Sequence, residues 1–393
     1  MAVAVDSMRR EISKDPQKIA SRYDIIELIN AMKHQLPPIK IRNVAKEMGV
    51  TEDYVRRRLK KLEKAGLGFR TNFDMRKVGL STLGIFFRQP ILLDSKTRIK
   101  GLDENLSYIL RWRGNVNLPR PWGIALFYTP FNIDVRENFI KLLTKNGLPE
   151  IEEVIEFDIT VYDNLDLRED ALYNDREKRW KNVLNKIMGD IEKTNNVSNQ
   201  DDIGREQELK HIDLIDIVIL AKLQNNSLTS MSEIARTLGI SVSKVNRHLQ
   251  THLIGQRIIE GNSLKRRTMN LNDPANLIII IKGKAESVSL LRIVARYISK
   301  TWEFISMLYN SRTADYIVLF MIKNEDMEKL DKHLHKIFGE ILGKNYFIGI
   351  LNKNSVASYT IPFISYNREL KEWDLDQQLM DVMKQKFLEL LKY

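Results

Sequence analysis

Val44-Ala-Lys-Glu-Met-Gly-Val50, followed at once by Thr51-Glu-Asp-Tyr-Val-Arg-Arg-Arg-Leu59, has a counterpart in Ile234-Ala-Arg-Thr-Leu-Gly-Ile240 followed by Ser241-Val-Ser-Lys-Val-Asn-Arg-His-Leu249. Each stretch sets a small alanine, an apolar residue and a glycine ahead of a residue that can cap a helix, and then resumes at helical spacing. That is the spacing of a helix-turn-helix, which presents one short helix to a DNA major groove. Two copies in one polypeptide predict that a single chain does what usually takes a dimer.

Both copies continue alike. In the first half a helix over 25–32 is expected to pack on 44–48, with 54–64 as the recognition helix. Gly66 and Gly68 stop that helix, and a hairpin wing is expected from Phe69, with Arg70, Arg76 and Lys77 exposed. A strand at 81–88, a helix near 105–111, a strand at 122–128, a helix at 134–143 and a strand at 151–161 should follow. In the second half, helices over 213–223, 231–238 and 243–252 precede a wing through 258–269. The runs 277–282, 288–299, 304–309, 316–323, 326–338 and 346–351 then read strand, helix, strand, strand, helix, strand, the ferredoxin-like order.

An apolar helical face closes each half, through Trp180, Val183, Leu184, Ile187 and Ile191, and through Leu375, Leu379, Val382, Phe387 and Leu390. The polar stretch between the halves reads as a solvated linker. The expected fold is α+β: two winged helix-turn-helix domains (20–78 and 209–271), each followed by a ferredoxin-like βαββαβ domain (79–165 and 272–366). A connecting helix lies at 166–192, a linker at 193–208 and a C-terminal helix at 372–393.

At 393 residues the chain can bury several cores, and 43% hydrophobic with 29% charged residues is a soluble globular composition. A net charge of +11 favours a polyanionic partner, nucleic acid before membrane. With no cysteine, disulfides, thiolate metal sites and cysteine nucleophiles are excluded. The opening apolar residues are too short for a signal-peptide core, and the apolar runs 277–281 and 316–322 are strand-length, far below a membrane span. A cytoplasmic protein with no membrane partner is expected. The lack of cysteine and the wealth of Ile, Lys and Arg hint at a thermophile.

These residues resemble the Lrp/AsnC (feast/famine) family of prokaryotic transcription regulators. Ile212-Asp-Leu-Ile-Asp-Ile-Val-Ile-Leu-Ala-Lys-Leu-Gln224 is similar to that family's first helix, and Ser232-Glu-Ile-Ala-Arg-Thr-Leu-Gly-Ile240 to its second. Ala314-Asp-Tyr-Ile-Val-Leu-Phe-Met-Ile322, leading into Asp326-Met-Glu-Lys-Leu330, is similar to a strand and helix of its effector domain. Phe73-Asp-Met-Arg-Lys-Val-Gly-Leu80 resembles its passage from wing to effector domain. The resemblance implies a DNA-binding regulator, here as a tandem duplicate from an archaeon. Ser311-Arg312-Thr313 and Leu118-Pro-Arg-Pro121 stand where the family's pocket loop has a glycine, which argues against small-molecule sensing.

On the first recognition helix Val55, Leu59 and Leu62 take core-facing spacing, which turns Asp53, Tyr54, Arg57, Arg58 and Lys61 outward and sets Arg56 on the flank. Arginine can grip guanine O6 and N7 together or clamp a phosphate, and Thr51 is placed to cap the helix. On the second, with Val245 and Leu249 as core, Ser243, Lys244, Asn246, Arg247, His248 and Gln250 form an exposed polar set suited to base edges. Its wing adds Lys265, Arg266 and Arg267. With Arg70, these are the expected contacts to double-stranded DNA, at unequal half-sites.

His248 and His252 share a helix face, as a metal pair must, but no carboxylate partner is evident in the sequence and a metal is not expected. No Walker loop, G-x-G-x-x-G, G-x-S-x-G or H-E-x-x-H occurs. The expectation is therefore a transcription regulator, not an enzyme, with no cofactor. Docking on RNA polymerase or a basal transcription factor is the alternative, and association into a homodimer is left open.

Overall fold

The computed structural model describes residues 23–90, 110–130, 150–165, 176–194, 212–266, 276–358, 361, 366–367 and 372–373. The expected helix at 134–143, Arg267, residues 195–208 of the linker and residues 374–393 of the last helix lie outside these; Lys193 and Thr194 of the expected linker are helical, and Glu372 and Trp373, expected to open the last helix, are instead in a strand.

The first helix-turn-helix is α1 (Tyr23–His34), α2 (Ile41–Glu47) and α3 (Glu52–Lys64). Thr51 caps α3 by accepting the Tyr54 amide at 3.2 Å, with Glu52 and Asp53 in the first turn and Lys61 and Lys64 in the last. That charge order complements the helix dipole. Gly49, at φ +66°, makes the turn between α2 and α3, a conformation that side chains with a Cβ resist. Gly239, at φ +65°, takes the same conformation.

Strand β1 (Leu67–Phe73) leaves α3, and a short turn leads into β2 (Leu80–Phe87). Next come β3 (Leu110–Leu118), β4 (Trp122–Pro130), β5 (Ile151–Phe157) and β6 (Ile159–Tyr162), then α4 (Arg176–Thr194). The second helix-turn-helix is α5 (Leu214–Asn225), α6 (Met231–Leu238) and α7 (Val242–His248), the last continued by a π-helical turn, Leu249–Ile254. Strands β7 (Ile259–Arg266) and β8 (Asn276–Lys284), α8 (Val288–Ile298), β9 (Phe304–Tyr309), β10 (Asp315–Lys323), α9 (Met327–His335) and β11 (Tyr346–Ser358) complete the order, with two-residue strands β12 (Tyr366–Asn367) and β13 (Glu372–Trp373).

Two corrections to the expected elements follow. Residues 110–118, where the end of a helix was expected, form β3, which pairs with β4 and with the distant β11. The two wings are not separate hairpins: β1 pairs antiparallel with β7 over Leu67↔Arg266 to Phe73↔Ile259. Each strand supplies apolar side chains to both units. Leu67 and Phe69 of β1 and Leu264 of β7 join the first unit's core with Leu28, Val44 and Val55. Phe73 joins the second unit's core with Ile217, Val245 and Leu249. The buried Thr71 hydroxyl donates to Asn262 across the ladder at 2.9 Å. The halves are thus interlocked through a strand pair that neither could form alone.

The main sheet has nine strands in the order β5-β2-β4-β3-β11-β8-β10-β9-β6. Two sets of four strands follow the same internal order, and the second set, with α8 and α9, is βαββαβ in full. Asp158 alone separates β5 from β6, yet they stand at opposite ends of the order, so the run 151–162 joins the ends and leaves no long free edge. Alternation then sorts side chains by face. Ile278 and Ile280 meet Phe86, Trp122 and Leu126 in a core shared by both sets. Ile279 and Ile281 face α4, α8 and α9. Helix α4 packs Trp180 against Phe320, ring centroids 5.9 Å apart, and buries Arg179 beside Glu303 at 3.5 Å. It therefore covers the second strand set, although it follows the first in sequence. Among the described residues no helix is long and apolar enough to cross a membrane.

Candidate nucleic-acid interface

On α3 Asp53 and Arg57 are exposed, as expected, but Tyr54, Arg58 and Lys61 are not fully outward. Arg58 turns back, pairing with Asp24 of α1 at 2.7 Å and lying over the Tyr54 ring at 4.7 Å. Its hydrogen bond to the half-buried Tyr54 hydroxyl, with the Asp24 charge, holds the guanidinium above its ordinary pKa. Tyr54 and Arg58 thus brace the helix, and Lys61 is half-buried. Arg56 and Arg57 are exposed and, among the described residues, bonded to Glu52 and to the Asp53 carbonyl within the helix, both at 3.4 Å. Lys60, which the sequence reading passed over, is exposed with them. These residues border a groove of about 700 Å³ floored by Ile39, Ile41, Leu59 and Leu228, the last from the second unit.

On α7 the Ser241 hydroxyl accepts the Lys244 amide at 3.3 Å. Ser243, Lys244, Arg247 and Gln250 are exposed and Asn246 is half-buried. His248 is buried, contrary to its expected place on the reading face. Its Nδ1 lies 3.1 Å from Asp216 Oδ1 and 3.5 Å from Asp213, while His252 Nδ1 is 2.9 Å from Asp216 Oδ2. The carboxylate partners that the sequence did not reveal are therefore Asp213 and Asp216, at the start of α5. Both also serve the capping box there. Burial drives the Asp216 carboxyl above its usual range, against the opposing pull of the His252 hydrogen bond and the Asp213 amide.

The expected wing contacts are largely committed elsewhere. Arg70 donates to Ser263 at 3.1 Å and lies 5.1 Å from the Tyr162 ring centroid. Lys265 donates to the Asn225 carbonyl and side chain at 3.2 and 2.9 Å, and Arg266 lies at the end of the β1–β7 ladder. Lys77 donates to the Arg257 carbonyl, and Arg76 chelates Asp74. Of these, Arg70 is held across the paired strands, while Lys265, Lys77 and Arg76 are held by Asn225, the Arg257 carbonyl and Asp74 beside the ladder.

Beneath the ladder lies a polar cluster that the sequence reading missed by assigning its centre to a helix. Arg111 donates to Thr82 and, at 3.0 Å, to Thr160, and lies over Tyr128 at 5.6 Å. Burial pushes the Tyr162 hydroxyl up to about 12 and raises Tyr128 as well, so both phenols stay protonated beside two arginines. The loop that begins at Ser311 is anchored too: the Ser311 amide donates to Asp158 at 2.7 Å.

Fold and reading helices define an α+β protein with a winged helix-turn-helix. A winged helix-turn-helix DNA-binding family model matches residues 212–251, which supports a DNA-binding regulator. No curated protein matches the chain. Two solved structures of the siroheme decarboxylase NirDL, one in co-complex with an iron-uroporphyrin III analogue, share the fold across 92–93% of this chain and 99% of theirs. The TM-score is 0.52 in both, at 12% and 11% identity. Shorter chains, PH0061 and MtbAldR, align over 36% of this chain and 93% of theirs, at TM-score 0.29 and 17% identity. The expectation that the chain is not an enzyme is overturned: the architecture that it shares over almost its whole length is an enzyme's.

Proposed function

We propose that this protein is a double-stranded DNA-binding transcription regulator whose two helix-turn-helix units, one in each half, read DNA as an internal pseudo-dimer. The observation that carries this is the β1–β7 ladder, which ties two capped recognition helices into one body. A fixed spacing between reading heads is what sets half-site separation on a duplex. The contacts to the duplex are Arg56, Arg57 and Lys60 on α3, Ser243, Lys244 and Arg247 on α7, and Gln250 on the π-helical turn that continues it. Lysines and arginines that release counterions from phosphates make such binding steeply salt-dependent. Gel shift and footprinting on genomic fragments test it. Two protected major-groove segments about one helical turn or a multiple apart are expected; protection of one segment only would end the pseudo-dimer reading.

The whole-length likeness to NirDL favours a second reading, in which the chain binds and decarboxylates an iron tetrapyrrole. Arg111 and Arg70, with the protonated phenols of Tyr128 and Tyr162, would receive the macrocycle's carboxylates. Adding an iron-uroporphyrin III analogue to the full chain should then shift the analogue's Soret band, and siroheme incubated with the chain should lose carbon dioxide, seen by mass spectrometry. An unchanged spectrum eliminates this reading and leaves the first untouched.

A further inference from the structure

Asp213, Asp216, His248 and His252 each offer one ligand atom, and these atoms all lie within 4.8 Å of one another. We propose that they form a binding site for a divalent transition ion of the zinc class, which staples the start of α5 to the end of the recognition helix α7. The inference is independent of what α7 reads.

Four observations carry it. The first is the donor set. Two imidazole nitrogens and two carboxylates suit zinc and its neighbours, whereas calcium and magnesium take oxygen ligands alone. The second is spacing. Metal–ligand bonds of about 2.0 Å in a tetrahedron put ligand atoms about 3.3 Å apart. The contacts of His248 Nδ1 with Asp216 and Asp213, at 3.1 and 3.5 Å, and of His252 Nδ1 with Asp216, at 2.9 Å, lie around that value. The 3.5 Å contact is made by Asp213 Oδ1, which also accepts the Ile215 and Asp216 amides, so an ion would share that oxygen with the cap or take the other oxygen of the same carboxylate.

The third is charge. At the equivalent place in the first unit, Asp24 meets the permanent cation of Arg58. In the second unit the corresponding residue is His248, and a further carboxylate has been added. Among the described residues no lysine or arginine forms an ion pair with Asp213 or Asp216. The buried Asp216 carboxyl and the more exposed Asp213 carboxyl therefore have imidazoles, not an arginine, as their side-chain partners. A divalent ion would stand where Arg58 stands in the first unit.

The fourth is backbone. The helix passes from α-helical to π-helical turns at Leu249, an irregularity that often marks a functional position. Both imidazoles face Asp216, with ring centroids 4.7 Å apart, while Leu253 stays in the core. The His252 side chain is 36% exposed, which gives an ion a path in.

The test uses the full chain, stripped with chelator and titrated with Co²⁺, whose tetrahedral complexes absorb strongly in the visible. One equivalent should bind per chain, and Zn²⁺ should displace it. His252→Gln changes the most accessible ligand, and Asp213→Asn keeps a good helix cap while removing an anionic donor. Each should weaken Co²⁺ binding at least tenfold and leave the far-ultraviolet circular dichroism of the stripped protein unchanged. Two results overturn the site: no saturable Co²⁺ spectrum in the stripped wild-type chain, which would mean a hydrogen-bonded network only, or equal Co²⁺ affinity in wild type and both variants.

Discussion

The two helix-turn-helix units hold their recognition helices from the same place with different chemistry. The seventh residue after each cap, Arg58 after Thr51 and His248 after Ser241, reaches back to an aspartate near the start of the unit's first helix. In the first unit the pair sits near the surface, with side chains 27% and 21% exposed. In the second they are 6% and 0% exposed, and the aspartate is enclosed by a capping box and a second histidine. A surface pair tolerates breakage because water replaces the partner, whereas a buried carboxylate must have every oxygen satisfied. The second unit should therefore present the stiffer reading helix and the first the more adaptable one.

The largest effect should come from the element that the units share. Phe73 belongs to the first half's strand but fills the second unit's core. Phe73→Ala should cost about 3–5 kcal/mol. Hydrogen exchange should locate the loss in α5–α7 more than in α1–α3; the reverse pattern would mean that the wings do not exchange core residues.

The two aspartates supply the next test. Asp216→Ala leaves two imidazoles facing an empty space and removes half of a capping box, a loss of about 3 kcal/mol. Asp24→Ala should cost below about 1 kcal/mol, because its partner stays partly in water. Chemical denaturation in the presence of chelator measures both. Equal losses would show that burial does not separate the two braces.

Reading heads can be compared through the arginines. Arg57→Ala and Arg247→Ala should each weaken DNA binding by about 1–3 kcal/mol if they grip a base edge, or lower the salt slope by roughly one if they clamp a phosphate. Arg58→Met should instead lower the stability of the first unit and leave the salt slope alone. A gel-shift series over salt concentration separates these outcomes.

Why Arg57 and not Arg58 faces outward could not be read from the helical pattern, since spacing sorts core from surface but does not show which surface residue a neighbouring helix claims. Asp24 decides that, and its partner is 34 residues further on in the chain. The same limit hid His248, whose partners begin the previous helix but one. The second strand set was legible because Ile278–Ile281 and Tyr316–Phe320 are continuous apolar runs, sandwiched between two cores. Strand β3 was not, because Arg111 and Arg113 interrupt its pattern. Arg111 finds Thr82 and Thr160, and Arg113 donates to the Ser355 carbonyl at 2.8 Å, all on strands remote in sequence. The wings looked like hairpins because each is locally strand-like, and only the three-dimensional pairing of β1 with β7 shows that their partners are each other.

The smallest difference should lie between the caps. Thr51 and Ser241 perform the same act, a hydroxyl accepting the amide three residues on, at 3.2 and 3.3 Å. Replacing a serine or threonine cap by alanine costs about 1 kcal/mol. Thr51→Ala and Ser241→Ala should therefore lower stability by similar amounts, read by chemical denaturation. Their effect on DNA affinity should diverge. Helix α7 is pinned at its far end by His248 and His252 inside a buried network, so a frayed first turn leaves the rest of the helix in place. Helix α3 is braced there by the Arg58–Asp24 pair, which lies nearer the surface, and fraying should move Arg56 and Arg57 together. A loss of affinity from Ser241→Ala equal to that from Thr51→Ala would mean that the buried brace adds no stiffness to the reading face.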